Sequence, residues 1–136
     1  MVDVMIRTLR VLVGKINGIR KAETSRGGYF CYLVKRTPEM VVKIGEVGEK
    51  AEDYYHMASK LAYAKAGNPD LSIREAMGDS LTASNGHVIA FAGYPAEWDM
   101  AILFALEVEL GWMKKDQALA EAPVGAKLNL AALLGE

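Results

Sequence analysis

The segment from Tyr94 to Met113 constrains this chain more than any other. Tyr94-Pro95-Ala96-Glu97 reads as a helix start. Proline's fixed φ suits a first turn, and its missing N–H is no loss there. Trp98, Met100, Ala101, Ile102, Leu103, Phe104, Leu106, Val108, Leu110 and Trp112 then leave a helix apolar nearly all round. Only Glu97, Asp99, Glu107 and Glu109 interrupt it. Such a helix must be covered on more than one side. A sheet can supply one cover. The tail or a partner chain must supply the other. That tail, 114–136, is broken by Pro123 and Gly125. Its run Lys127-Leu128-Asn129-Leu130-Ala131-Ala132-Leu133-Leu134 is too apolar to stay solvated, so it is expected to dock on its own domain or on another subunit.

Composition narrows the remaining choices. A chain of 136 residues, 51% hydrophobic and 24% charged, fits one domain and excludes intrinsic disorder. A chain of this size buries about two-thirds of its unfolded surface, so neither metal nor disulfide is required. The lone cysteine, Cys31, excludes an intrachain disulfide and a multi-cysteine metal cluster, and leans toward a reducing interior. A net charge of -1 gives no bulk footprint for nucleic acid or an anionic membrane. The longest apolar run, Met100 to Leu106, is far short of the roughly 20 residues that span a bilayer. The opening MVDVMIRTLRVLVGKING has neither the long apolar run nor the cleavage site of a secretory signal. The expected location is therefore cytoplasmic. A single glutamine, Gln117, beside abundant Glu, Lys and Arg leans toward a thermophilic composition.

The first element is an amphipathic helix over 2–16. Val2, Met5, Ile6, Leu9, Leu12, Val13 and Ile16 form its buried stripe, and Asn17-Gly18 is its expected stop. Two β-prone runs, Ile19–Thr24 and Tyr29–Val34, flank Ser25-Arg26-Gly27-Gly28 and read as a hairpin. Thr37-Pro38-Glu39 looks like a helix start. Met40, Ile44, Val47, Ala51, Tyr54, Ala58 and Leu61 keep a helical period, so one long helix is expected over about 38–66. Gly45 and Gly48 oppose that reading, at about 1 kcal/mol each relative to alanine. The competing reading makes Met40–Ile44 a strand and starts the helix near Gly48. Residues 71–77 fit strand or helix. Asn85-Gly86 predicts a hairpin between 79–83 and a buried strand, His87–Ala92. The expected architecture is an α/β, or α+β sandwich, domain in the order α-β-β-α-β-β-β-α. Its sheet is mostly antiparallel and five-stranded. Residues 1–113 form the domain and 114–136 an apolar C-terminal extension.

Ile16-Asn17-Gly18-Ile19, then Ser25-Arg26-Gly27-Gly28 between strands, resembles the opening of the roadblock / dynein light-chain family, which has a longin-like fold. Gly78-Asp79-Ser80-Leu81, Asn85-Gly86-His87-Val88-Ile89 and Ala96-Glu97-Trp98-Asp99 are similar to the end of an uncharacterised prokaryotic branch of it. The likeness covers roughly 2–113. It departs in the long second helix, in Arg26-Gly27 where an acidic residue is usual, and in the tail. It implies a non-enzymatic dimer, homodimeric or with a relative, that scaffolds or regulates a partner of the small GTPase class. It also implies a pairing surface at the second strand and second helix, near Cys31, Tyr32, Gly45, Gly48 and Tyr55. Glycines three apart on a helix would agree, by leaving a notch for a second backbone.

No catalytic motif is present. There is no phosphate loop, no dinucleotide fingerprint and no nucleophile elbow. Glu52, Asp53 and His56 are too few ligands for a metal centre and read as a solvated helix face. Cys31 lacks a local cation or helix N-terminus to lower its pKa and reads as an inert thiol. Glu107 and Glu109, two apart, point to different helix faces. Arg7, Arg10, Lys15, Arg20, Lys21, Arg26, Lys35 and Arg36 gather in the first 36 residues and could steer a partner. No cofactor is expected on the leading reading. The alternative rests on Asn85-Gly86-His87-Val88-Ile89-Ala90-Phe91, which resembles a strand of the haem-binding GlcG-like family. That resemblance implies His87 as ligand in a pocket lined by Tyr94, Trp98 and Tyr55.

Overall fold

The structure, a computed structural model, describes residues 2–21, 26–34, 37–47, 80–82 and 87–135. It is an α+β arrangement of four helices and four strands among those residues: α1 (Val2–Arg20), β1 (Arg26–Val34), β2 (Thr37–Glu46), β3 (Ser80–Thr82), β4 (Val88–Ala92), α2 (Ala96–Glu109), α3 (Lys115–Glu121) and α4 (Val124–Leu133). The strands form one antiparallel sheet in the order β2-β1-β4-β3. A fifth strand is not among the described residues.

Helix α1 buries Met5, Leu9, Leu12, Val13 and Ile16, the stripe the spacing predicts. It does not stop at Asn17-Gly18. It runs to Arg20 and ends on Lys21, whose φ of 50° is left-handed and whose N–H bonds the Asn17 carbonyl at 3.2 Å. Tertiary contact overrides the local stop signal. The Asn17 side chain donates to the Arg26 carbonyl at 2.8 Å and accepts from the Tyr94 hydroxyl at 2.9 Å. Ile19 and Arg20 are therefore helical, which corrects the start of the strand expected at 19–24, and 22–24 lie outside the described residues.

The hairpin forms one strand later than expected. Arg26, Gly27 and Gly28 belong to β1 itself. A Cβ on Gly27 would collide with the Ile44 carbonyl of β2, so the close strand approach demands glycine. The expected helix over 38–66 is corrected at its start, because Thr37–Glu46 is a strand paired with β1 from Val34↔Thr37 to Arg26↔Glu46. The competing reading of Met40–Ile44 was the right one. Gly45 decides it. Its φ of 76° is incompatible with a right-handed helix. The rest of that helix and the ambiguous 71–77 lie outside the described residues.

The two central strands, β1 and β4, are buried on both faces. Phe30, Tyr32, Ile44, Ile89 and Phe91 face α1 and α2, with Met40 and Val42 packed beside them. Cys31, Leu33, Val88, Ala90 and Ala92 form a second, smaller cluster with Tyr29 and Val41. The alternation along each strand is the two-residue period of the pleat. Strand β3 pairs with β4 as the hairpin signal predicts, with Thr82↔Val88 nearest the turn, although Asn85-Gly86 lies outside the described residues.

Ten of the 14 residues of α2 are buried. Strand β4 and α1 cover it on one side. On the other side α4 brings Ala126, Leu130 and Leu133, spaced three and four apart, and α3 brings Ala118. Lys15 Nζ ties α1 to α4 by donating to the Leu133 carbonyl at 3.3 Å. The helix stops four residues short of Met113. Gly111, at φ 76°, bonds back to the Val108 carbonyl at 3.1 Å, and Trp112 N–H to the Glu107 carbonyl at 2.9 Å. This paired return is a Schellman closure, and it turns Trp112 back toward the sheet.

Candidate functional site

Three places hold side-chain chemistry. The first is an aromatic cluster at one end of β4. Tyr32 of β1 lies beside Ile89 of β4, and its hydroxyl reaches His87 Nδ1 at 2.7 Å. The His87 ring stands edge-on to Tyr32 at 5.4 Å and to Trp112 at 5.7 Å between centroids. Tyr32 and Trp112 lie 6.4 Å apart. Tyr32 is buried, while His87 and Trp112 are half-buried. Nothing in the local sequence links these three. The strand register sets Tyr32 opposite Ile89, and the Gly111 closure delivers Trp112.

The second place is the other end of β4. Tyr94 stacks on Phe91, with centroids 6.0 Å apart and planes 11° apart. Its hydroxyl donates to Asn17, and its backbone N–H donates to Asp99 Oδ1 at 3.0 Å. The Arg20 guanidinium sits 5.4 Å from the Tyr94 ring centre, a cation–π contact. Burial pushes the Tyr94 phenol up to about 12, and Asp99 adds to it, against the pull of Arg20, Arg26 and the Asn17 bond. The phenol therefore stays neutral and serves as a hydrogen-bond donor.

The third place is Glu107, near the end of α2. It is 1% exposed, and its Oε1 has no hydrogen-bond partner. Burial pushes its carboxyl up to about 7, and the charge of Glu121 on α3 raises it further. Glu109 is exposed on another face, so the two carboxylates do not meet.

The residues implied by the two resemblances are not gathered in one site. Cys31 and Tyr32 lie on β1, an interior strand with β2 and β4 on either side. Neither offers backbone to a partner. Burial pushes the Cys31 thiol up to about 11, which makes it a poor nucleophile. Gly45 lies in a strand, where a Cβ would come within 2.7 Å of the Arg26 carbonyl and 3.0 Å of Val13 Cγ1. It is not a notch on a helix. Gly48, Tyr55 and the Glu52, Asp53, His56 group lie outside the described residues. His87 and Tyr94 sit at opposite ends of β4, about 20 Å of extended chain apart. Trp98 is buried in the core on the first turn of α2. The pocket implied for His87 is thus not assembled from Tyr94 and Trp98. Among the described residues no group of three or more His, Cys, Asp or Glu could hold a metal. No helix among them is long and apolar enough to cross a membrane.

No protein-family model, curated protein or solved structure matches this chain.

Proposed function

We propose that the chain is a non-enzymatic interaction module that pairs with a second copy of itself through the outer edge of β2. The observation that carries this reading is the place of β2 in the sheet. It is ten residues long, it is outermost in the strand order, and among the described residues it pairs with β1 alone. A long edge strand presents alternate N–H and C=O groups as a template for another strand. Met40, Val41 and Val42 on it are only half-buried, so pairing would cover apolar surface as well. Lys43, exposed on it, is a residue that keeps such an edge from pairing indiscriminately. The roadblock-like resemblance supports the same reading, and it adds a regulated protein of the small GTPase class as the partner of the pair.

The test uses two prolines. Consecutive strand residues direct their N–H groups to opposite sides, so of Val41 and Val42 one faces β1 and the other faces outward. Val41→Pro and Val42→Pro are compared by circular dichroism and light-scattering mass. The wild type is expected to be a dimer, and the variant that stays folded is expected to be a monomer. A wild-type monomer at micromolar concentration overturns the reading, as does a folded proline variant that remains a dimer.

A second reading, binding of haem or another planar small molecule, is favoured by one observation, the Tyr32–His87–Trp112 cluster. Haem titration decides it. No Soret shift on the wild type, or the same shift in His87→Ala, removes it.

A further inference from the structure

Two carboxyl side chains are buried among the described residues, Asp99 and Glu107. Asp99 accepts a backbone hydrogen bond. On Glu107, Oε1 is buried without a hydrogen-bond partner, the one such side-chain atom among the described residues. A buried ionised carboxylate with an orphaned oxygen is expensive, whereas the neutral acid costs far less. The charged groups on every element packed against α2 bear on that choice. On α3, Glu121 acts on Glu107 through space and disfavours its charge. Lys115 is half-buried on the same helix, and Asp116 is exposed. On α4, Lys127 is exposed. On α1, Lys15 is engaged with the Leu133 carbonyl, Arg20 lies over Tyr94, and Asp3, Arg7 and Arg10 are exposed. Strands β3 and β4 carry no charged residue. Burial and the Glu121 charge are the effects that act on Glu107, and both disfavour its ionised form.

We infer that Glu107 is a proton-gated latch for the C-terminal helices: protonated, it lies neutral beneath α3 and α4, and on releasing its proton to solvent it weakens their docking on α2. Ala118, Ala122, Ala126, Leu130 and Leu133 belong to the core only while those helices are docked. Their release would uncover the apolar side of α2. The latch does not depend on pairing at the β2 edge.

The test is hydrogen exchange by NMR on the full chain, corrected for the intrinsic effect of pH on amide exchange. The opening constant of 115–133 is expected to rise by up to tenfold per pH unit between about pH 5 and pH 7, then level off. Amides of α1 and β4, which open only on global unfolding, are expected to have far smaller opening constants than the tail at every pH, even though unfolding also frees Glu107 and so rises with pH. Glu107→Gln should remove the rise, and Glu121→Gln should end it at a lower pH. A flat wild-type profile overturns the latch, as does an unchanged slope in Glu107→Gln. Tail opening constants equal to those of α1 and β4 also overturn it, because that would be global unfolding. If Glu107→Gln does not fold, the wild-type Glu107 side-chain carbon shift is titrated directly. A midpoint near 7, followed by the tail amides, supports the latch. A midpoint at the ordinary carboxyl value overturns it.

Discussion

The two ends of α2 bury the same functional group with opposite results. Asp99, in the first turn, lies where the exposed N–H groups and the positive pole of the helix favour a carboxylate, and it accepts the Tyr94 N–H. Glu107, in the last turn, lies where the negative pole opposes one, with no basic residue in that turn. One end is a fixed polar junction tying α2 to α1 and β1 through Tyr94 and Asn17. The other is a titrating group under the tail. Position along a helix, and not burial alone, decides whether an acidic residue fastens a structure or senses the medium.

The largest expected effect breaks the comparison at the Glu107 end. Its carboxyl is lifted from 4.5 to about 7, so the folded form holds a proton that the unfolded form has lost. The stability this contributes is fully present below pH 4.5 and is lost as pH rises through 7. At 1.36 kcal/mol per pH unit the difference amounts to about 3 kcal/mol. Urea denaturation at pH 5 and pH 8 should show it. Glu107→Gln should fall about 1 kcal/mol below the wild type at pH 5, the cost of an unpaired buried amide, and exceed it by about 2 kcal/mol at pH 8. Equal stability of the two proteins at pH 8 would make Glu107 no different from Asp99.

At the other end, Asp99→Ala orphans the Tyr94 N–H and removes a favourable charge from the first turn. The expected cost is about 2 kcal/mol in urea denaturation at pH 7. Asp99→Asn keeps an acceptor oxygen and should recover about half of it. If both variants cost the same, the charge and not the bond holds the junction.

What could be read from the sequence divides along a similar line. The all-round apolar helix, the α1 stripe and the buried β4 follow from hydrophobic period alone, which is a local property. The strand over Tyr29–Val34 is found within β1, but the strand expected from Ile19 and the helix expected from Pro38 begin wrongly, because what forms there is set by contacts distant in the chain. Asn17 carries α1 past its own stop signal only by bonding Arg26 and Tyr94. The run after Thr37 keeps a helical period, yet Val41, Val42 and Ile44 are β-prone, and Gly45 adopts a left-handed φ beside Val13 and Arg26. The aromatic cluster and the Glu107 environment were hidden for the same reason, since register and the Gly111 return place their members. Gly45→Ala tests this. In a helix the change would stabilise by about 1 kcal/mol. In the observed strand it should destabilise by about 1 to 2 kcal/mol, from strain at positive φ and the close Arg26 carbonyl. The sign in urea denaturation is the readout.

The smallest expected effect isolates one bond of the Asp99 junction. Tyr94→Phe keeps the stack on Phe91 and the backbone donation to Asp99, and removes only the hydroxyl that reaches Asn17. Asn17 is half-buried, so water can replace part of the lost donor. The expected cost is about 1 kcal/mol, the net worth of an ordinary hydrogen bond. Asn17→Ala should cost more, since it also removes the donation to the Arg26 carbonyl. If the two costs are equal, the Asn17–Arg26 bond contributes nothing, and the Tyr94 hydroxyl alone explains why α1 runs on to Arg20. If Tyr94→Phe costs nothing while Asn17→Ala does, the helix is held by Arg26. The junction would then fasten β1 to α1 without α2, and the two ends of α2 would differ less than their geometry implies.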